Sequence, residues 1–281
     1  MTLPFPVLDH IVVNVHERMD EAAETYRRLG FTLTPRGYHT LGSINHLAIF
    51  ATDYMELIGV PTAAGGGSRK DILGWPVGWN GLVFNTEDAA GLTPALASVG
   101  VPASAPNDFS RPVELPGGVT ADAAFRTVRL PNDTSPSGRI YFCEHKTRPL
   151  VWRDAWRRHA NGTVAIARFV FGAADPLALS ALFARMFGPE PIRRIPGGAH
   201  LAVGMASVEV VSPAEISRRY GEAAADPAGR SEWMAAVEFR TAHRAQAEAA
   251  LTAGGVPFRA TAAGPLVAGR DAFGAAMLFT E

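Results

Sequence analysis

The sequence predicts an α+β chain of four βαβββ modules, paired into two half-barrel domains. Three observations predict it. A strand–helix–glycine unit recurs at nearly fixed spacing, alternate copies resemble one another in detail, and 281 residues suffice for two domains of ordinary size.

The first strand is LDHIVVNV, Leu8–Val15, rich in Val and Ile. MDEAAETYRRLG follows, and Met19, Ala22, Ala23, Tyr26 and Leu29 share one helical face. Asp20 and Glu21 open that helix and Arg27 and Arg28 close it, which suits the helix dipole. Gly30 is placed at C′. Three strand-like runs complete the module: Phe31–Pro35, His46–Ala51 and Tyr54–Val60. The second module begins at Gly81–Thr86, and its helix carries Leu92, Leu96 and Val99 before Gly100. Thr93 and Pro94 are a candidate N-cap and N1, so the start of this helix is left open. The third begins at Ala165–Phe171, caps its helix with Asp175 and Pro176, and ends it at Gly188. The fourth begins at Ala235–Thr241 and closes an alanine-rich helix at Gly254. The closing glycine lies 20 residues after His10, 19 after Gly81 and 20 after Arg168.

The odd copies match in detail. NHLAIFATDYMELIGVP pairs His46 with Glu56, and AHLAVGMASVEVVSP pairs His200 with Glu209. The even copies end alike, in YFCE (Tyr141–Glu144) and LFTE (Leu278–Glu281). The expected division is therefore a first domain at 1–152, a connector at 153–162 and a second domain at 163–281. Trp152 and Trp156 are expected to pack across the domain joint.

Charge and composition narrow the function. Against 26 basic residues stand 27 acidic ones, so no basic excess points to nucleic acid or an anionic membrane. The single cysteine, Cys143, excludes an internal disulfide and fits a reducing compartment. With no signal-peptide pattern and no long apolar run, a cytoplasmic protein with a small-molecule partner is expected, and a homodimer is left open.

One βαβββ unit covers only one face of its sheet. Two units side by side form a curled eight-stranded sheet whose concave side becomes a pocket, lined from the first and fourth strand of each unit. Copy one places His10 and Glu56 at those positions. Copy two offers Glu144, but nothing strong near Gly81. His10 reads either as a site residue or as a buried structural histidine. Glu56 lies in YMELIGV, where a lone buried carboxylate is costly, so it calls for a metal, an arginine or a water. A shift of one residue would turn His145 inward in place of Glu144. Trp79, Phe109 and Phe125 are expected to line the pocket, with His39 at its mouth or in solvent. His46 is read as structural or as a support behind the site residues, and Cys143 as core packing. In the second half Arg168 stands where His10 does. It is expected to pair with Glu209, which leaves a degenerate, structural or regulatory domain ending at Glu281.

LDHIVVNV, YRRLGFTLTPRG, NHLAIFATDYMELIGV and YFCEHKTRPLVWR, across residues 7–153, resemble a glyoxalase-like family of the vicinal-oxygen-chelate superfamily, whose layout the whole chain resembles. The resemblance implies metal ligands at the strand positions above, here His10, Glu56 and Glu144. It implies a divalent ion (zinc, nickel, manganese or iron) and a lyase or isomerase for a small oxygenated or thiol-conjugated molecule, with Glu56 or Glu144 moving a proton. The chain departs from glyoxalase I, because Gly81 is no ligand, and from extradiol dioxygenases, because the second first-strand histidine is absent. A metal-free small-molecule binding protein of the same fold is the alternative.

Overall fold

The computed structural model describes residues 2–62, 69–115 and 117–281. Module one is β1 (Leu8–His16), α1 (Met19–Arg28), β2 (Gly37–Tyr38), β3 (Ile44–Ile49) and β4 (Tyr54–Gly59). The short α2 (Lys70–Leu73) leads to module two: β5 (Gly78–Asn85), α3 (Ala89–Ser98), β6 (Asn107–Glu114), β7 (Thr120–Arg129) and β8 (Arg139–His145). Module three is β9 (Thr163–Ala173), α4 (Pro176–Phe187), β10 (Ile192–Ile195), β11 (Gly198–Val203) and β12 (Ala206–Val211). After α5 (Pro213–Tyr220), module four is β13 (Glu232–Thr241), α6 (Arg244–Ala253), β14 (Arg259–Ala260), β15 (Pro265–Val267) and β16 (Met277–Thr280). All four are βαβββ units, and they form two eight-stranded sheets, β2-β3-β4-β1-β5-β8-β7-β6 and β10-β11-β12-β9-β13-β16-β15-β14. In each module the first strand runs parallel to the fourth, and the two first strands meet antiparallel at the sheet centre. This is the expected pair of half-barrels.

Local chemistry sets the boundaries. Asp175 caps α4 by accepting from the amides of Leu177 and Ala178, with Pro176 at N1, as expected. Asp88 caps α3 by accepting from Gly91 N, so that helix starts at Ala89 and Thr93-Pro94 falls inside it. The second strand of module one is not Phe31–Pro35 but Gly37–Tyr38. Thr34 exchanges bonds with Leu47 through its amide and hydroxyl, and Pro35 has no amide with which to continue a ladder. Phe31 instead packs edge-on against Phe239, with ring centroids 5.3 Å apart. The left-handed residue after α6 is Gly255, with φ 62°, and not Gly254. Gly254 is needed for close approach, because a Cβ there would sit 1.9 Å from the carbonyl oxygen of Arg28.

The outer faces of the two sheets, with α1, α3, α4 and α6, share one apolar core. Alternation along β1 sends Ile11, Val13 and Val15 into it and leaves Val12 for the inner face. Each inner face has a separate cluster. That of the second sheet is filled by α5, whose Ile216 and Tyr220 pack on Val170, Leu266 and Leu278. Trp152 and Trp156 do not span the joint. Both pack on the inner cluster of the first sheet, Trp152 against Tyr54 and His145. The connector is tied down instead by His159, which accepts from Thr32 N and bonds Ile49 O, and by Asn161, which donates to Leu29 O. Among the described residues no helix is long and apolar enough to cross a membrane.

Candidate functional site

The site is built on the inner face of the first sheet. The pairing of β1 with β5 slips between Leu8 and His10, which leaves Asp9 as an extra residue. This bulge brings two neighbouring side chains together. His10 Nδ1 donates to Asp9 Oδ2 at 2.6 Å, and His145 Nε2 donates to the same oxygen at 3.0 Å. Burial raises the Asp9 carboxyl. The charge of His145 and the bonds from both imidazoles outweigh it and hold the carboxyl well below the ordinary range. With Nδ1 committed to Asp9, His10 Nε2 faces the cavity, 3.1 Å from Tyr141 Oη and 3.6 Å from Glu56 Oε2. Glu56 Oε1 accepts from Asn45 Nδ2 at 2.7 Å, and that amide lies 3.2 Å from His39 Nε2. A polar chain thus runs from His39 through Asn45, Glu56, His10 and Asp9 to His145. Burial pushes the His39 imidazole down to about 4, against the opposing charge of Glu56.

His10 and Glu56 are therefore together, at 3% and 6% exposure, but Glu144 is not with them. Along β8, Arg139, Tyr141 and Cys143 line the cavity, so Glu144 points to the other face. There it accepts from Ala89 N at 3.1 Å and pairs with Lys146. In the fourth module Glu281 accepts from Arg244 N at 2.7 Å, also the first residue of a helix. The repeated glutamate of YFCE and LFTE is a helix-terminus acceptor, placed where the dipole favours a negative charge. Trp79 also misses the pocket. A second slip of β1 against β5, between Val12 and Val13, turns it into the shared core, where its ring packs on Phe169 and its Nε1 donates to Ala276 O. Phe109 and Phe125 do line the cavity, stacked at 5.2 Å. His46 lies on the outer side, bonded to Thr34 O, and Cys143 is a buried free thiol whose burial raises it well above its ordinary value.

The cavity also holds four arginines that sequence reasoning missed: Arg69, Arg111, Arg129 and Arg139. Asp71 accepts from Arg69 and Arg129, each bond 2.8 Å long. Arg139 Nε donates to Asn80 Oδ1 at 2.7 Å. Even counting Asp9 behind His10, four guanidiniums face three carboxylates, Glu56, Asp71 and Asp9.

This composition tests the expected metal set. His10 Nε2 and Glu56 Oε2 are close enough to share an ion, but Glu144 is absent and the fourth position is closed, since a Cβ on Gly81 would meet Val12 Cγ2 at 2.6 Å. The remaining neighbour is the Tyr141 phenol, held far above its ordinary value by burial and then by the charge of Glu56. Two donors, a protonated phenol and four cations do not fit a divalent ion at His10 and Glu56. A different group, Asp9, Cys143 and His145, brings three donor atoms within 4.8 Å of one another. Asp9 Oδ1 and His145 Nδ1 are buried there without a partner among the described residues. Carboxylate, thiolate and imidazole are donors that zinc accepts.

The second half meets the same strand positions differently. Arg168 Nε lies 3.1 Å from Glu209 Oε1, as expected, and Arg168 Nη1 donates to Glu238 Oε2 at 2.6 Å. Arg219 and Tyr220, from α5, add bonds to Glu209 and Glu238.

The sequence profile of a glyoxalase-like domain matches residues 8–187, from β1 through α4 and so beyond the first half. The chain belongs to the glyoxalase-like domain family. Similar solved structures share the vicinal-oxygen-chelate fold. A hypothetical protein from Staphylococcus aureus is 13% identical with a TM-score of 0.65, over 98% of this chain and 99% of that one. A triple mutant of 4-hydroxymandelate synthase from Streptomyces coelicolor is 12% identical with a TM-score of 0.57, over 92% and 78%. A xylose isomerase-like TIM barrel/4-hydroxyphenylpyruvate dioxygenase fusion protein is 12% identical with a TM-score of 0.54, over 92% and 40%. At these identities the likenesses show the fold alone. No curated protein matches the chain.

Proposed function

We propose that the first half, residues 1–152, acts on a small oxygenated molecule by acid–base chemistry, as an isomerase or lyase, with His10 and Glu56 as the proton-moving pair. The observation that carries this reading is the orientation of His10. Asp9 fixes its Nδ1, so Nε2 stands beside Glu56 and Tyr141 on the cavity wall. An imidazole and a carboxylate 3.6 Å apart can take a proton from one ligand atom and return it to the next. The second half, residues 163–281, serves as its structural partner.

The test needs no known substrate. Small carbonyl compounds, pyruvate and hydroxyacetone among them, are incubated with the protein in D2O, and exchange of their α-protons is followed by NMR. The expected result is exchange that falls about a hundredfold or more in H10Q and E56Q, the lower range for a positioned acid or base. Exchange absent from the wild type, or indifferent to both substitutions, refutes the reading and leaves a binding protein.

A second reading rests on the Asp9, Cys143 and His145 cluster. These residues would hold a divalent ion, zinc by donor type, which when bound would polarise a ligand oxygen. Metal analysis of protein purified without chelators decides it: one equivalent of metal, lost in C143S, favours this reading.

A further inference from the structure

The arginines of the cavity are not equivalent. Arg69 and Arg129 are matched by Asp71, whereas Arg111 is 3% exposed and its Nε and Nη2 have no hydrogen-bond partner among the described residues. Those two atoms form one edge of the guanidinium. Elsewhere in this protein the same edge grips a carboxylate with two parallel bonds, in Arg69–Asp71 (2.8 and 2.8 Å) and Arg126–Asp108 (2.6 and 2.7 Å). In Arg111 that fork is buried and empty. Arg139, 6% exposed, has one further unpartnered buried nitrogen, Nη2. An unpaired buried cation is costly to keep, and the fold makes room for this one: a Cβ on Gly37 would stand 2.8 Å from Arg111 Cδ. The stacked rings of Phe109 and Phe125 supply an apolar wall beside these charges.

We propose that the cavity binds a small-molecule carboxylate, held in bidentate fashion by the Nε–Nη2 edge of Arg111 and assisted by Arg139. This names the substrate class for the site proposed above and rests on that reading only in locating the ligand beside His10 and Glu56. An aromatic or aliphatic part of the ligand lies along Phe109 and Phe125. A planar carboxylate suits the fork better than a single point of contact, because both oxygens are used.

The test is calorimetric titration of the full chain with benzoate, pyruvate, benzamide and inorganic phosphate. Benzoate or pyruvate is expected to bind at least tenfold more tightly than benzamide, the neutral analogue. R111M is expected to lose at least tenfold in that affinity, while its melting temperature without probe equals or exceeds that of the wild type, since an unpaired buried charge has gone. A purely structural arginine would instead lower the melting temperature. If R111M does not fold, R111K keeps the charge without the fork, and at least a threefold loss of affinity is expected. Equal binding of benzoate and benzamide, no binding of either carboxylate, or unchanged affinity in the arginine variants overturns the proposal. Phosphate binding more tightly than both carboxylates overturns it in favour of a phosphate ligand. H10Q and E56Q separate the two readings. Carboxylate binding without proton exchange sinks only the acid–base function, and exchange without charge selectivity sinks only this inference.

Discussion

Replacing Asp9 with Asn probes the bulge on which the site depends. The side chain is fully buried, and one oxygen accepts from two imidazoles, at 2.6 and 3.0 Å. Asn offers one acceptor and one donor in the same space. Its carbonyl oxygen can take the place of Oδ2 and accept from both imidazoles, but without the negative charge, and its NH2 group then lies where Oδ1 is buried without a partner among the described residues. Both hydrogen bonds lose their charge assistance, falling from about 1.5–3 to about 1 kcal/mol each, and a buried donor is left unsatisfied. The expected loss of stability is about 2–3 kcal/mol at pH 7, read from urea unfolding with the slope held fixed. A second readout is specific to these bonds: nitrogen NMR of the imidazoles should show His10 Nδ1 and His145 Nε2 shifted, because the acceptor they share has lost its charge. A loss below about 0.5 kcal/mol with both ring nitrogens unshifted would refute the reasoning, because a buried carboxylate that accepts two bonds cannot be neutralised at so small a cost.

Two further outcomes follow from residues outside the cavity. Asp53 is buried and accepts from Ile166 N across the two halves, and burial raises its carboxyl from 3.8 to about 6 despite the bonds from Ile166 and Thr52. The stability tied to its protonated form is complete below about pH 3.8 and lost as pH rises through about 6, so at pH 7 the wild type carries a penalty on the order of 3 kcal/mol. D53N should therefore be more stable at pH 7 and flatter between pH 4 and 6 in thermal unfolding, and a less stable D53N at pH 7 would contradict this. E144A should cost about 1 kcal/mol through the lost acceptor for α3 and leave benzoate titration unchanged; weakened binding would return Glu144 to the site.

The modules were legible because helices and strands announce themselves by period and by caps, and Asp175-Pro176 needed nothing beyond local chemistry. The repeat also carried register. Tyr54 pairs with His10 as Ser207 pairs with Arg168, which puts Glu56 and Glu209 two residues on in both halves and explains why the Arg168–Glu209 contact could be foreseen. Failures cluster where parity along a strand is broken or cannot be anchored. A bulge adds one residue and leaves no mark in composition, so neither the inward turn of Asp9 nor the outward turn of Trp79 could be counted from the sequence. Glu144 and His145 are neighbours, and without an anchor for β8 either could face the cavity. The resemblance of YFCE to LFTE did contain the answer, since a glutamate shared with a module that lacks a histidine site has a structural reason to be there. Arg111 comes from β6, a strand that the search for metal ligands passed over, and Arg139 from the start of β8, where only Glu144 and His145 were weighed.

The two halves show why the site belongs to the first. At the centre of the second sheet Arg168 faces Glu209 and Glu238, and α5 adds Arg219 and Tyr220 to the same two carboxylates. Two cations meet two anions, a phenol donates to one of them, and Ile216 and Tyr220 fill the concavity, so the charges close on themselves. In the first sheet the partner of His10 on β5 is Val83, where the second sheet pairs Arg168 with Glu238. That exchange removes the anion that would have neutralised a cation at the sheet centre. The guanidiniums of Arg111 and Arg139 are left facing a cavity, with Glu56 bound instead to Asn45 and standing beside His10. A fold that pairs Arg168 and Arg219 with carboxylates in one half and leaves the buried Nε and Nη2 of Arg111 open in the other has kept the second arrangement at a cost in stability. Such a cost is repaid only when something outside the chain supplies the missing anion.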